Sequence, residues 1–275
     1  MATVFDFSNK TVAVIGGTSG INRGIAESFA AAGARVAVAS RAQDKVDDTV
    51  AALKEAGAEA AMGLAFDVRD AAAVAAGFAA IKDTHGEIDV LVSGAACNFP
   101  ALAADMSINA FKTVIDIDLM GTIHVMKAAY PHLKRPGASI INISAPQSYL
   151  PYEGQAHVCA AKAGVDQITR TLSMEWGLEG IRINSVVPGF IDGTEGAKRL
   201  APSPEVLKGL TRSIPLGRLG ACEDVANACL FLSSDLASYI SGTVLAVDGA
   251  LYQRGSGSTG EMMGHMLRAA SAKKQ

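Results

Sequence analysis

The sequence predicts an α/β fold: a single doubly wound sheet of about seven parallel strands with helices on both faces. Three observations carry this. Short β-branched runs alternate with longer Ala-rich segments along the whole chain. Glycine marks many of the junctions. The strand-like runs are continuously apolar rather than alternating, as strands buried on both faces are. Hydrophobic residues make up 49% of the 275 and charged residues 19%, too apolar for a disordered chain and enough for one large core.

Each element can be justified in order. Residues 11–15 are a β-branched strand ending at Gly16-Gly17, followed by a helix over 21–32 that Gly33 closes. A strand at 35–39 leads to a helix at 45–56, stopped by Gly57. Strand 60–66, helix 71–85 and strand 88–92 follow. A long helical region covers 109–133, interrupted by Pro131. Strand 139–143, helix 158–177, strand 182–187, helix 221–232 and strand 244–247 complete the pattern. Repeated strand–helix units of this kind wind a parallel sheet. Residues 189–213, rich in Gly, Pro and charge, read as an inserted loop. Residues 254–275 open with Gly-Ser-Gly-Ser and read as a mobile C-terminal tail, which leaves 1–253 as the domain.

Several classes are excluded. A net charge of −3 and a pI near 6.0 give no basic footprint for nucleic acid. Cys97, Cys159, Cys222 and Cys229 form no C-x-x-C pair, so they read as free thiols in a reducing compartment with no metal. No apolar run reaches the length of a bilayer span, and the N-terminus lacks the basic and apolar regions of a secretory signal.

The first strand–helix junction, I-G-G-T-S-G-I-N-R-G over 15–24, has the composition of a phosphate cradle. Glycines let the backbone turn sharply and approach a pyrophosphate, and the helix N-terminus adds free N–H groups. The bland alternative is a tight turn. Strand two ends at Ala39-Ser40-Arg41 without the acid that would hold a ribose diol. Arg41, with Lys45 one turn on, suits a 2′-phosphate instead, so NADP(H) is expected over NAD(H). A solvated pair of surface cations is the alternative.

With these motifs in view, the chain resembles the short-chain dehydrogenase/reductase family. The family's turn is T-G-x-x-x-G-x-G; here Ile15 replaces the Thr and Asn22 the last Gly. Asp67-Val68 matches an adenine contact, Ser93-Gly94-Ala95-Ala96 stands for N-N-A-G, and Pro188-Gly189 with Thr194 follows strand six. The last strand carries Gly242 and Val247-Asp248-Gly249. The ordinary members use Y-x-x-x-K. Lys162 is that lysine, but Val158 occupies the tyrosine position, Ala145 the serine position beside Ser144, and Asp118 the helix asparagine. Ordinary carbonyl reduction is therefore not expected.

A closer resemblance is to the peroxisomal type of 2,4-dienoyl-CoA reductases. It rests on Ala96-Cys97-Asn98-Phe99, the segment 110–118, Val165-Asp166, Glu175-Trp176-Gly177 and the segment 191–196. That group lacks the Tyr and works with an Asp and the Lys, which implies Asp118 and Lys162 as catalytic. It implies cofactor contacts at Gly16, Gly17, Thr18, Ser19, Gly20, Ile21, Arg41, Lys45, Asp67, Val68, Lys162, Pro188, Gly189, Ile191 and Thr194. It also implies acyl-CoA contacts at Arg41, Arg69, Phe99, Ser107, Ile108, Asn109 and Arg199. The 189–213 loop leaves strand six at the carboxyl edge of the sheet, where such folds bind ligands, and is expected to be a substrate lid. The departures are Cys97, where that group has Gly, and the tail. The tail ends Lys273-Lys274-Gln275 rather than in a peroxisomal S-K-L, so a cytoplasmic enzyme is expected. The resemblance further implies a homotetramer or dimer.

In a 2,4-dienoyl thioester, hydride adds at the far end of the conjugated chain and charge moves to the thioester oxygen. Protonation then falls on carbon, so a Tyr aimed at a carbonyl oxygen is unnecessary. Asp118 near Lys162 can hold and polarise a water as proton source; the alternative is a structural salt bridge. Tyr149, Tyr152 and Ser144 are candidate oxyanion donors. His157 reads as a packed helix histidine, and Met262, Met263 and Met266 as an apolar helix stripe. Two other functions stay open: a carbonyl or alcohol oxidoreductase using Tyr149 or Tyr152, and a non-catalytic NADP-binding protein.

Overall fold

The computed structural model describes residues 5–194, 203–255 and 257–272. Among them, seven strands form one parallel sheet: β1 (Thr11–Ile15), β2 (Arg35–Ser40), β3 (Ala60–Ala65), β4 (Val90–Ser93), β5 (Ser139–Ile143), β6 (Arg182–Pro188) and β7 (Val244–Val247). Their spatial order is β3-β2-β1-β4-β5-β6-β7. The helices are α1 (Gly20–Ala31), α2 (Gln43–Glu55), α3 (Ala71–His85), α4 (Ile108–Val114), α5 (Gly121–Ala129), α6 (Ala156–Gly177), α7 (Pro204–Ser213), α8 (Cys222–Ser233) and α9 (Gly257–Ala272).

Side chains alternate across a strand, so each strand feeds two cores. From β1, Val12 and Val14 join Ile25 and Phe29 of α1 and Val225 and Leu230 of α8. Ala13 and Ile15 join Val74, Phe78 and Ile81 of α3 and Val125 and Met126 of α5. All five β1 residues are buried, which is why the run reads as continuously apolar. Phe29 and Phe78, fully buried on opposite faces, each contribute roughly 1.5–3 kcal/mol by leaving water. The chain winds outward from β1 to β3, then returns to β4 and on to β7. The crevice beyond the carboxyl ends of β1 and β4 is therefore the switch point where such sheets bind ligands.

The structure differs from the sequence expectations in four places. β4 begins at Val90 because Ile88 makes only an isolated bridge to Leu133. The helical region expected over 109–133 breaks at Pro131 as expected, in a short 3₁₀ turn (Tyr130–His132), but ahead of it α4 and α5 are joined by a π-helical segment (Ile115–Met120). The inserted loop contains α7, started by Pro204 in the first turn and by the Ser203 hydroxyl, which accepts from the Val206 N–H at 3.3 Å. The tail is not a loose end, since residues 257–272 form α9. Met263 is buried and Leu267, one turn on, packs against Gly154. Arg268 pairs with Glu153 at 2.6 Å, and the Ser271 hydroxyl donates to Asp105 at 2.8 Å. An apolar stripe at helical spacing outweighs the Gly-Ser opening.

Candidate active site

Two cavities meet at the switch point. The first, about 520 Å³, runs over the ends of β1 and β2 and is lined by Gly16, Thr18, Ser19, Arg41, Lys45 and Asp67, with Val68 beside them. The second, about 380 Å³, is bounded by Gly20, Ile21, Asp118, Lys162, Pro188 and Thr194, with Gly189 and Ile191 completing the wall. Ser19, Asn22, Gly94 and Ala96 line both. Of the expected cofactor set only Gly17 lines neither; it packs beneath the turn against Val14 and Val38.

The first cavity has the donors a dinucleotide phosphate needs. At Gly16 (φ +81°) an added Cβ would lie 2.8 Å from the Ala95 N, so only glycine lets β1 turn this close to the β4 loop. Ser19, at the N-cap of α1, makes no side-chain capping bond, and the first turn holds no acid. The helix amides and positive dipole end thus face the cleft without a competing carboxylate. Arg41 and Lys45 make no side-chain hydrogen bond or ion pair with the described residues, whereas Asp67 is held by Arg69, Nη2 to Oδ2 2.6 Å. That guanidinium keeps the Asp67 carboxyl below the usual carboxylate range.

In the second cavity, the π-helical segment carries Asp118 and α6 carries Lys162. Both are buried, Asp118 at 1% exposure and Lys162 at 6%. Asp118 Oδ1 accepts from the Cys97 N–H at 2.7 Å, and Oδ2 lies 3.5 Å from Lys162 Nζ with no hydrogen-bond partner among the described residues. Lys162 Nζ donates to the Ile143 carbonyl at 3.0 Å, at the end of β5. Burial pushes the Asp118 carboxyl above its usual range, and the Lys162 charge and Cys97 N–H only partly oppose this. Val158 lines the same wall, packed with Val114 and Ala161. Ser144 Oγ is buried there with no hydrogen-bond partner among the described residues.

The two tyrosine candidates separate. Tyr152 is buried and lines the cavity, and burial pushes its phenol up to about 12. Tyr149 lines neither cavity; it stacks edge-on against Tyr252 at 5.3 Å. His157 is fully buried against Phe99, ring centroids 4.7 Å apart, and burial pushes its pKa down. Arg69, Phe99, Ser107, Ile108 and Asn109 line neither cavity. Ser107 instead caps α4, accepting from the Ala110 N–H at 3.1 Å, and Ile108 is 82% exposed. Arg199 lies outside the described residues.

Sequence reasoning missed an amide cluster on the cavity wall. Gln155 is buried; its Oε1 accepts from Gln147 Nε2 at 2.7 Å and its Nε2 meets Met263 Sδ at 3.3 Å. Through Met263, α9 forms part of the wall around Asp118 and Lys162. A glutamine just before a helix carries no motif, and a methionine in a Gly/Ser-led tail carries none either.

Among the described residues no helix is long and apolar enough to cross a membrane, and no group of three His, Cys, Asp or Glu could hold a metal. The four cysteines are free thiols. A family model described as enoyl-(acyl carrier protein) reductase matches residues 16–251. The peroxisomal 2,4-dienoyl-CoA reductase [(3E)-enoyl-CoA-producing] of Danio rerio is 38% identical, over 97% of this chain and 89% of its own. The 3beta-hydroxysteroid dehydrogenase 1 of Eggerthella lenta is 37% identical, over 90% of this chain and 95% of its own. A short chain dehydrogenase structure from Bacillus anthracis superposes with a TM-score of 0.77 at 36% identity, covering 89% of this chain and 97% of that one. The family model and these relatives match the chain along nearly its whole length, and with the glycine turn and the switch-point cavities described above the chain belongs to the short-chain dehydrogenase/reductase family of nicotinamide-dependent oxidoreductases.

Proposed function

We propose that this enzyme is an NADPH-dependent reductase of 2,4-dienoyl-CoA or closely related enoyl thioesters. The observation that carries the reading is the buried Asp118–Lys162 pair in a cavity where Val158 stands in place of the family tyrosine. Arg41 and Lys45 support the 2′-phosphate, since both line the cleft with no side-chain hydrogen bond or ion pair among the described residues and no acid ends β2. The Danio rerio relative, a 2,4-dienoyl-CoA reductase by name, supports the thioester class.

When bound, the cofactor supplies hydride. Lys162, anchored on the Ile143 carbonyl, holds its ammonium at the cavity wall, where it grips ribose hydroxyls and stabilises charge developing on the thioester oxygen. Asp118, whose Oδ2 has no hydrogen-bond partner among the described residues and whose carboxyl is pushed above its usual range by burial, holds a water and passes a proton toward the substrate carbon. Val158 and Ile143 keep that end of the cavity apolar, which strengthens both interactions. Segment 189–213 serves as substrate lid in this reading, leaving β6 at the carboxyl edge and returning through α7. A homo-oligomer fits the exposed Met174 of α6 and the exposed Leu178 just past its end.

A second reading, carbonyl or alcohol oxidoreduction, is favoured by the Tyr152 phenol in the cavity and by the steroid dehydrogenase relative. NADPH consumption with 2,4-dienoyl-CoA, 2-enoyl-CoA and 3-oxoacyl-CoA, side by side, separates them. Turnover of the dienoyl thioester at least tenfold above the 3-oxoacyl thioester is expected. Turnover of the 3-oxoacyl thioester alone, abolished by Tyr152→Phe, would establish the second reading instead.

A further inference from the structure

Asn22 breaks the glycine-rich turn at the position where the family places its last glycine. It lies in the first turn of α1 and lines both cavities, so it marks the waist between the adenosine side and the catalytic side. Its Nδ2 donates to the Gly94 carbonyl at 2.7 Å. Because a carbonyl only accepts, this bond fixes the amide orientation and points Oδ1 elsewhere. Oδ1 is buried and finds no hydrogen-bond partner among the described residues. Gly94 completes the arrangement, since a Cβ there would come within 2.6 Å of Asn22 Cγ. Asparagine at 22 and glycine at 94 are therefore a matched pair.

We propose that Asn22 is a cofactor-binding residue whose Oδ1 accepts a hydrogen bond from a hydroxyl of the nicotinamide-side ribose. A dinucleotide spanning both cavities passes Asn22 at its middle, where it offers pyrophosphate oxygens and, beyond them, ribose hydroxyls. Phosphate oxygens are acceptors and would leave Oδ1 unsatisfied; a ribose hydroxyl is a donor. A buried acceptor is favourable here only if the bound state supplies that donor. The inference rests on the family's nicotinamide cofactor and is independent of which substrate is reduced.

Binding without substrate tests it. NADPH is titrated by its fluorescence, and 2′,5′-ADP, which has the adenosine half and no nicotinamide ribose, by calorimetry. Asn22→Ala and Asn22→Gly should each raise the Kd for NADPH about three- to tenfold, the range of one neutral hydrogen bond. The Kd for 2′,5′-ADP should stay within about twofold. The glycine variant restores the family's own residue and keeps the test open should alanine disturb the turn. Equal losses for both ligands would mark a purely structural role, and no loss for either would leave Oδ1 without a ligand; each result overturns the proposal.

Discussion

Replacing Asp118 by Asn probes the proposed chemistry with little change of shape. The amide oxygen can keep the 2.7 Å bond from the Cys97 N–H, while the charge 3.5 Å from Lys162 Nζ is lost. Lys162 then keeps only the Ile143 carbonyl. Removing one partner of a buried ion pair costs about 3–5 kcal/mol when the other charge is stranded. Here the lysine faces a cavity that admits water, so about 1–3 kcal/mol is expected. Against a total stability of about 5–15 kcal/mol, that leaves the protein folded. A fall in kcat of about 10²–10⁴ therefore cannot come from unfolding and reports lost acid–base help. The assay is NADPH absorbance at saturating dienoyl-CoA, with NADPH affinity measured separately and expected to hold within a few fold. Full activity in Asp118→Asn, with activity lost in Tyr152→Phe, would refute the reasoning and move the proton to the phenol.

Two further changes test the cleft and the frame. Arg41→Ala should weaken NADPH about 10- to 100-fold and NADH hardly at all, the scale of a charged hydrogen bond to phosphate; equal loss for both, in fluorescence titrations, would remove the NADP assignment. Asp224 is held down to about 2 by the Arg218 guanidinium, at 2.6 and 2.9 Å, and by the Ala221 N–H at the start of α8. A depressed carboxylate stabilises the fold above its unfolded pKa of about 4 and loses that contribution as pH falls toward 2. The site is largely solvated, so the contribution is about 1 kcal/mol or less. Asp224→Asn should lower Tm slightly at neutral pH and flatten its decline between about pH 4 and pH 2; an unchanged acid limb would contradict the pairing.

Much of the fold was legible because its strands are short, apolar and bounded by glycine. β1, β5, β7 and α3 fall on the residues the sequence indicates. The π-helical segment within 109–133 was not legible, because it keeps the same apolar residues and only shifts their phase. The Gly-Ser opening made the tail read as mobile, although its methionine stripe already had helical spacing, and α9 buries Met263 of that stripe. At the site, Lys162, Asp118 and the glycine turn were visible through family spacing, and the structure brings them to one crevice. Gln147, Gln155 and Met263 come to the cavity wall from three separate elements, and nothing local in the sequence joins them. The resemblance implied Arg69 as an acyl-CoA contact; its guanidinium is folded onto Asp67, because two residues of separation let a bidentate pair close locally.

The choice between the two proton donors turns on acidity. The titratable side chains lining the catalytic cavity are Cys97, Asp118, Tyr152 and Lys162. A general acid works best when its pKa lies near the working pH. Burial acts on the phenol and the carboxyl in the same direction, since both are neutral when protonated. For Tyr152 that direction is away from neutrality, up to about 12, and makes a weak donor weaker. For Asp118 it is toward neutrality, and Lys162 keeps the shift from running away. One physical effect thus moves the group that starts too basic further from the working range and the group that starts too acidic toward it. With Val158 removing the usual phenol from the helix, the proposed assignment of the proton to Asp118 follows from the same burial that makes the cavity apolar.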